Sequence, residues 1–131
     1  MQVEVVSPER ITYSGEANKV LVRTVEGGDI EFLAGHVPFI GVLQVSAAKI
    51  VDGESSEIFA IHQGFVQMSG DKVTILSDVA ENKNDIDVQR AQTAKSRAEV
   101  LVSADREDAA AKFALRRADV RLGVAAGELP A

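Results

Sequence analysis

The chain has 131 residues, 46% of them hydrophobic, and carries a formal net charge of −6. This length suits one compact unit or one small domain with an appendage, and the acidic balance argues against nucleic acid as a partner. Cysteine is absent, which excludes disulfides and thiolate chemistry.

The N-terminus lacks the pattern of a targeting segment. Val3, Val5 and Val6 surround the acidic Glu4, whereas a signal peptide has a basic segment and a longer apolar run. No stretch approaches the roughly 20 apolar residues of a membrane-spanning helix. We therefore expect a soluble cytoplasmic protein that touches membranes only through a partner.

Residues 1–84 have the pattern of an all-β domain. Eight short runs rich in β-branched residues are predicted as strands: Val3–Val6, Ile11–Tyr13, Val20–Thr24, Ile30–Leu33, Ala47–Val51, Ile58–His62, Phe65–Ser69 and Val73–Ser77. Many short strands separated by turn signals predict a sandwich or flattened barrel. Six large apolar residues are expected in its core: Phe39, Phe59, Phe65, Leu21, Ile61 and Ile75.

Residues 85–131 change character and predict a two-helix hairpin. Twelve alanines follow position 85 and six precede it, and neither Gly nor Pro occurs between positions 85 and 122. Alanine and long charged residues are strong helix formers. The first helix is predicted over about 86–103, with Asp85 as N-cap and Asp87 favouring the helix dipole. The second is predicted over about 106–122, with its N-terminus at Asp105.

Small side chains dominate the faces on which the two helices are expected to meet. These faces comprise Ala91, Ala94, Ala98 and Leu101 on the first helix, and Ala111, Ala114 or Leu115, Ala118 and Leu122 on the second. Such a seam packs closely but buries little apolar area, at roughly 25 cal/mol per Å². We therefore expect a hairpin that can open and dock elsewhere, with residues 81–84 as its hinge.

Four arginines form the clearest candidate site. Arg90 and Arg97 share one face of the first helix, and Arg117 and Arg121 share one face of the second. At roughly 1.5 Å per residue, Arg90 and Arg121 lie at nearly the same height in an antiparallel pair. Guanidinium groups on facing helices suit a polyphosphate, because each offers forked donors to phosphate oxygens. Asp87 can then accept from a base or sugar.

Other interpretations of the charged residues remain open. The arginines can instead form a solvated face paired with Glu99, Asp108 or Asp119. His36 and His62 are too few for a zinc site in a chain without cysteine. A small hydrolase using either histidine lacks a recognisable nucleophile motif, so we interpret them as a turn histidine and a strand-end histidine.

Several segments together resemble the epsilon subunit of F-type ATP synthases, over nearly the whole chain. The segments are 3–9 with 13–15, 26–38, 64–66 with 72–78, and 86–91. The last reads Ile86-Asp87-Val88-Gln89-Arg90-Ala91 and is similar to the motif [I/L]-D-x-x-R-A found in many family members. Glu31, Phe32 and Ala34 depart from the glycine, aliphatic residue and proline that are usual in the family's glycine-rich loop.

The resemblance implies a sandwich of about ten strands in residues 1–84 and an antiparallel two-helix hairpin in residues 85–131. It implies a non-catalytic central-stalk subunit of a proton-translocating ATP synthase, at the cytoplasmic face of the cell membrane. The sandwich would bind the gamma subunit and the membrane rotor ring. The hairpin would reach the catalytic alpha/beta hexamer and inhibit ATP hydrolysis.

The resemblance also implies a regulatory ligand, because ATP holds the hairpin folded in family members that bind it. Matching positions assign the ATP contacts to Glu81, Asp87, Arg90, Ala91, Arg97, Arg117 and Arg121. Asp29 and His36 match loop positions near the rotor ring. No metal and no obligatory cofactor are expected. The alternative is a module that chiefly senses ATP and has little inhibitory role.

Overall fold

Eight β-strands precede two α-helices in the computed structural model, which describes residues 1–129. The strands are β1 (Gln2–Ser7), β2 (Arg10–Glu16), β3 (Lys19–Thr24), β4 (Gly28–Leu33), β5 (Phe39–Asp52), β6 (Ser55–Ser69), β7 (Lys72–Leu76) and β8 (Ala80–Asn82). The helices are α1 (Val88–Ala104) and α2 (Ala109–Ala125), and a 3-10 turn at Lys83–Asp85 leads into α1. The expected sandwich and hairpin are confirmed, although the last two residues of the predicted hairpin domain lie outside the described residues.

The strands form one sheet that doubles over into two layers. Their order is β2-β1-β7-β6-β5-β3-β4, and β8 pairs with the far half of β6. The two longest strands, β5 and β6, run through both layers, because 39–43 pairs with 64–68 and 45–52 pairs with 55–62. Counted by halves, β5 and β6 each supply two strands, which gives the ten that the resemblance implies.

The core between the layers consists of large apolar side chains from alternate strand positions. Val3 and Val5 of β1 are fully buried, as alternation in a half-exposed strand requires. The predicted core residues Phe59, Ile61 and Ile75 are also buried. The other buried members include Val20, Phe32, Ile50, Val66, Met68 and Val73.

Three of the predicted core positions turned out differently. Phe39 is only partly buried at the core's edge. Leu21 is half-buried, because its neighbours Val20 and Val22 take the inward positions of β3. Phe65 is 54% exposed, so its assignment to the core was wrong.

A backbone irregularity in β6 explains the exposure of Phe65. Gln63 has a φ of 66° and Gly64 a φ of 148°, and such an irregularity changes which face later residues occupy. Inward positions are odd-numbered before it, as at Ile61, and even-numbered after it, as at Val66. Gly64 cannot be replaced without movement, because an added Cβ would lie 2.0 Å from the carbonyl oxygen of Leu76.

The hairpin docks on the sandwich through α2. Val120 and Val124 are fully buried and join an apolar cluster with Val45, Ile58 and Ala60 on the outer face of the sheet. α1 packs chiefly against α2. Within residues 1–129, neither helix has the length and apolar character needed to cross a bilayer.

Alanines form the seam between the helices, as the sequence predicts. The buried members are Ala91, Ala98, Ala111 and Ala118. Leu101 is 50% exposed, so its place in the seam was wrong. It lies on α1, which has little besides α2 to pack against, and the facing side chains are small.

The first helix begins later than predicted, at Val88, with Asp87 as its N-cap. The side chain of Asp87 accepts a hydrogen bond from the N–H of Arg90 at 3.0 Å, which is the N-cap arrangement. The assignment of Asp85 as N-cap was therefore wrong, since Asp85 ends the preceding 3-10 turn.

The second helix is also displaced relative to its prediction. Asp108 is its N-cap and accepts from the N–H of Ala111 at 3.0 Å. Asp105, predicted as this N-terminus, is instead the C-cap of α1. α2 continues past the predicted end to Ala125, and Gly127, with a φ of 80°, follows its C-cap.

Candidate functional site

A cleft of about 860 Å³ lies where the N-terminal half of α1 meets β8 and α2. Its lining residues are Glu81, Asp85, Asp87, Gln89, Arg90, Ala91, Thr93, Ala94, Arg97 and Arg121. Three of them are arginines and three are carboxylates, so the cleft offers both cations and hydrogen-bond acceptors. Its volume falls in the range of small-molecule sites.

The cleft brings together six of the seven residues predicted to contact ATP. Arg117 is the exception: it is half-buried on α2, one helical turn nearer the inter-helix turn than Arg121. Height along the helix pair, the four-residue spacing from Arg121 and the family match grouped Arg117 with the others, and none of these decides which side chains line one cleft. The ATP assignment of all seven residues stays a prediction.

Two of the cleft arginines extend from α1 into solvent. Arg90 and Arg97 are exposed, and neither has a carboxylate within ion-pair distance in residues 1–129. The alternative in which the arginines pair with surface acids was wrong for two of those acids. Asp119 pairs with Lys95 at 3.1 Å, and Asp108 caps α2. The guanidinium groups of Arg90 and Arg97 therefore remain available to an anion.

The N-terminus of α1 adds to the positive character of the cleft. The first turn of a helix carries unpaired N–H groups and the positive end of the helix dipole. Ala91 is only 3% exposed, and its small side chain allows a ligand to approach the helix closely. Asp87 occupies the cap, so its carboxylate already satisfies one of these N–H groups.

Arg121 is anchored to the sandwich through an acid on β8. Its Nε donates to Oε1 of Glu81 at 2.7 Å, and Nε2 of His62 lies 2.8 Å from the same oxygen. The hydrogen bond with His62, followed by the contact with Arg121, holds the pKa of Glu81 below its ordinary value, although partial burial opposes this shift. The acid is therefore ionised at neutral pH and links α2 to the sheet.

His62 does not end a strand, as the sequence was interpreted, but lies within β6. Its side chain is 4% exposed, and its Nδ1 has no hydrogen-bond partner in residues 1–129. The strand continues to Ser69 because the irregularity at Gln63 is accommodated within the sheet. Sequence analysis therefore missed the role of His62 beside Glu81.

The contacts of the two histidines argue against a hydrolase site. His62 does lie beside a carboxylate, but a nucleophile–base pair also needs a hydroxyl or thiol within hydrogen-bond reach. The nearby Ser77 donates its hydroxyl to the carbonyl oxygens of Gln63 and Val79 instead. His36 lies against Phe32, with ring centroids 5.0 Å apart, and its Nδ1 is 2.8 Å from the carbonyl oxygen of Val37.

Two polar residues of the cleft were also missed, although the sequence contains their signal. Gln89 and Thr93 precede Arg97 at four-residue spacing, so all three share one face of α1. The hydroxyl of Thr93 donates to the carbonyl oxygen of Gln89 at 3.1 Å. The helical period that grouped the arginines also places these two residues in the cleft.

The two residues predicted to face the rotor ring lie at opposite ends of β4. Asp29 is near its start and pairs with Nε of Arg23 at 2.7 Å, and that hydrogen bond holds the pKa of Asp29 below its ordinary value. His36 lies in the turn after the strand ends. The structure therefore does not place them side by side, and their rotor contact stays a prediction.

A second surface of interest lies on the opposite layer of the sandwich. Residues in direct register on five successive strands form what we call the apolar row: Ile11, Val6, Leu76, Phe65 and Val42. All but Val6 are more than 40% exposed. Side chains directly opposite on adjacent strands lie within contact distance, so the apolar row is continuous. A contiguous exposed apolar surface marks an interaction site.

Comparison with known proteins identifies the family. A family model described as ATP synthase, Delta/Epsilon chain, beta-sandwich domain matches residues 1–83. The ATP synthase epsilon chain of Halalkalibacterium halodurans is 39% identical over 129 residues, covering 95% of this chain and 96% of the relative. This chain belongs to the ATP synthase epsilon family. The resemblance seen in the sequence is thereby confirmed, and an epsilon chain is a non-catalytic stalk subunit of the ATP synthase.

Another member agrees with this assignment, and two solved structures share the fold. The Brevibacillus brevis epsilon chain is 43% identical over 100 residues, covering 76% of this chain and 75% of the relative. A chain of the Euglena gracilis mitochondrial ATP synthase has a TM-score of 0.78 at 20% identity, covering 95% of this chain and 79% of that one. A chain of the Tetrahymena thermophila enzyme has a TM-score of 0.56 at 13% identity, covering 96% and 93%. At these identities, the likeness to solved structures shows the fold.

Proposed function

We propose that this epsilon chain couples the rotor of a proton-translocating ATP synthase to its catalytic head and restrains ATP hydrolysis through the α1–α2 hairpin. One observation carries the proposal: α2 is the main attachment of the hairpin to the sandwich. The attachment consists of the apolar cluster around Val120 and Val124 and of polar contacts from two arginines. Arg116 donates to the carbonyl oxygen of Val45 at 3.1 Å, and Arg121 pairs with Glu81.

Such an attachment suits a movable element. The alanine seam and the small apolar cluster bury few large side chains, so separating the hairpin costs far less than unfolding the sandwich. The freed hairpin would then reach the catalytic alpha/beta hexamer. Family membership supports this assignment, because a stalk subunit works within an assembly that contains the catalytic head.

The sandwich supplies the remaining partner surfaces of the proposal. The apolar row would contact the gamma subunit, since it is a continuous apolar surface with four of its five members exposed. The residues near the ends of β4, Asp29 and His36, would face the membrane rotor ring. The chain would then lie peripherally at the cytoplasmic face of the cell membrane, held there by these partners.

ATP is the proposed regulatory ligand, bound in the cleft between α1, β8 and α2. A polyphosphate there would neutralise Arg90 and Arg97 from α1 and Arg121 from α2. It would therefore join the two helices at a point where Arg121 already contacts the sandwich. Bound ATP is expected to favour the docked hairpin and so to relieve inhibition.

Truncation in the assembled enzyme tests the restraint on hydrolysis. Removing residues 85–131 is expected to raise the ATP hydrolysis rate, because the hairpin can no longer reach the catalytic head. Removing only residues 127–131 is the control, since these residues follow the end of α2. An unchanged hydrolysis rate without the hairpin would contradict the inhibitory role.

Calorimetric titration with Mg-ATP tests the cleft. The wild-type chain is expected to release binding heat, and Arg90→Ala to weaken binding about tenfold through loss of a charge-assisted hydrogen bond. Arg106→Ala is the matched control, because Arg106 is exposed in the turn between the helices and lies outside the cleft. No heat up to millimolar ATP would rule out a regulatory site.

The cleft also supports a second candidate function, a module that chiefly senses ATP. The two functions differ in one result. If ATP binds to the wild-type chain while deletion of the hairpin leaves hydrolysis unchanged, sensing without inhibition is the correct assignment.

A further inference from the structure

We infer that His62 is a positioning residue for the cleft: it holds the carboxylate of Glu81, and Glu81 in turn orients the guanidinium group of Arg121. The ligand named below, ATP, rests on the proposed function. The geometry of the three residues does not depend on that ligand.

A single oxygen atom connects the three side chains. Oε1 of Glu81 lies 2.8 Å from Nε2 of His62 and 2.7 Å from Nε of Arg121. These residues come from β6, β8 and α2, so the contact joins two paired strands of the sandwich to the hairpin. Glu81 and Arg121 line the cleft, whereas His62 lies behind them, 4% exposed, and is not a lining residue.

The hydrogen-bonding inventory settles which atoms donate. An ionised carboxylate only accepts, so Nε2 of His62 carries the proton in this contact. Arg121 donates through Nε, and its two terminal amino groups make no hydrogen bond within residues 1–129. When Nε of Arg121 is held by Glu81, the two terminal amino groups are presented together. They then have the forked geometry that binds phosphate oxygens.

The position of the imidazole is itself fixed by the backbone. The N–H of His62 donates to the carbonyl oxygen of Val79 at 3.1 Å, and the hydroxyl of Ser77 donates to the carbonyl oxygen of Gln63 at 2.5 Å. His62 shares the helix-facing side of β6 with Ile58 and Ala60, two residues of the cluster that receives α2. The ring thus lies in a rigid frame directly beneath the hairpin.

The remaining ring nitrogen supports a positioning role. Nδ1 of His62 is buried and has no hydrogen-bond partner in the described part of the chain. Native proteins seldom leave a buried polar atom unpaired, and each instance calls for an explanation. The contact between Nε2 of His62 and Glu81 explains this instance, because His62 is needed for that contact alone.

The first experiment needs no nucleotide. Proton–nitrogen NMR of the unliganded chain is expected to show a slowly exchanging Nε–H signal for Arg121, because this proton is bonded to Glu81. His62→Gln keeps an N–H donor and is expected to retain the signal. His62→Phe keeps the ring shape without the donor and is expected to lose it. A slowly exchanging signal that persists in His62→Phe would overturn the inference.

The second experiment measures Mg-ATP affinity by calorimetry. His62→Phe is expected to weaken binding about tenfold, the loss of roughly one oriented charged hydrogen bond, and His62→Gln by less than about threefold. If His62 acts through Glu81, then His62→Phe has no further effect in a Glu81→Ala background. An equal loss in both backgrounds would overturn the inference. Absence of ATP binding in the wild-type chain would refute the nucleotide function, while the Arg121 signal would still decide the role of His62.

Discussion

The sandwich and the hairpin of this chain are stabilised in different ways. The sandwich encloses large side chains such as Phe32, Phe59 and Ile61, all at most 1% exposed. The seam of the hairpin contains alanine, as at Ala98 and Ala118. Because burial energy scales with apolar area, the sandwich is the permanent part and the hairpin the detachable one. One chain thus combines a strongly packed domain with a weakly packed one.

The largest expected effect on stability comes from comparing two phenylalanines of β6, one buried and one exposed. Phe59→Ala is expected to lower the free energy of unfolding by about 3–5 kcal/mol, because it leaves a cavity in the core. Phe65→Ala removes the same atoms from a side chain that is 54% exposed, and should change stability by about 0.5 kcal/mol or less. Urea unfolding followed by circular dichroism measures both. Similar losses would contradict the assignment of the core.

A larger residue in the seam tests the hairpin alone. Ala118→Leu is expected to cost about 1–3 kcal/mol by overpacking, since Ala118 is fully buried between the helices. The loss should appear as faster amide hydrogen exchange in α1 and α2 while the strands keep their protection. Ala110→Leu, at an exposed position of α2, is the control. Loss of protection in the strands would show that the two parts unfold together.

The N-cap of α1 should have a smaller effect. Asp87→Ala is expected to reduce the stability of α1 by about 1 kcal/mol, because the N–H of Arg90 loses its acceptor. Asp85→Ala should have little effect, since Asp85 ends the 3-10 turn and is not the cap. Hydrogen exchange in the first two turns of α1 distinguishes them, and the opposite ranking would refute the assigned cap.

The smallest effect concerns pH. The pKa of Glu81 is lower in the docked state than its ordinary value of 4.5. Its contribution to docking is therefore complete above about pH 4.5 and is lost as the pH falls through the lowered pKa. Acidification should loosen the hairpin, and Glu81→Gln should remove that dependence. Because the chain has no cysteine, a dye pair at Ser56→Cys and Ala126→Cys can report the distance. An identical pH profile in Glu81→Gln would contradict the prediction.

Local patterns were sufficient to predict most of the fold. Runs of β-branched residues between turn signals located most of the strands, although β8 and the first half of β5 were missed, and the alanine-rich composition located both helices. These patterns failed where the conformation of a single residue decides which way a side chain faces or which residue caps a helix. The φ of Gln63 reversed the facing of Phe65, and three acids within residues 105–108 left the choice of N-cap to geometry.

The helical period and the family motif predicted those residues of the candidate site that lie on a single element. Both methods identified Arg90 and Arg97 on α1. His62 escaped them, because its partner Glu81 is 19 residues away and meets it only through the pairing of β8 with β6. Arg117 was included on its height, on its four-residue spacing from Arg121 and on the family match, but it does not line the cleft.

The passage of β6 between the two layers has a further consequence. His62 lies beneath the hairpin and Phe65 lies in the apolar row, yet both line one cleft with Phe113 and Arg116 of α2. The two residues are three positions apart, a distance of about 10 Å along the strand. The backbone amides of Gln63 and Gly64 therefore serve as a built-in reporter: a partner seated on the apolar row and a hairpin lifted from above His62 each alter the environment of the same two peptide groups.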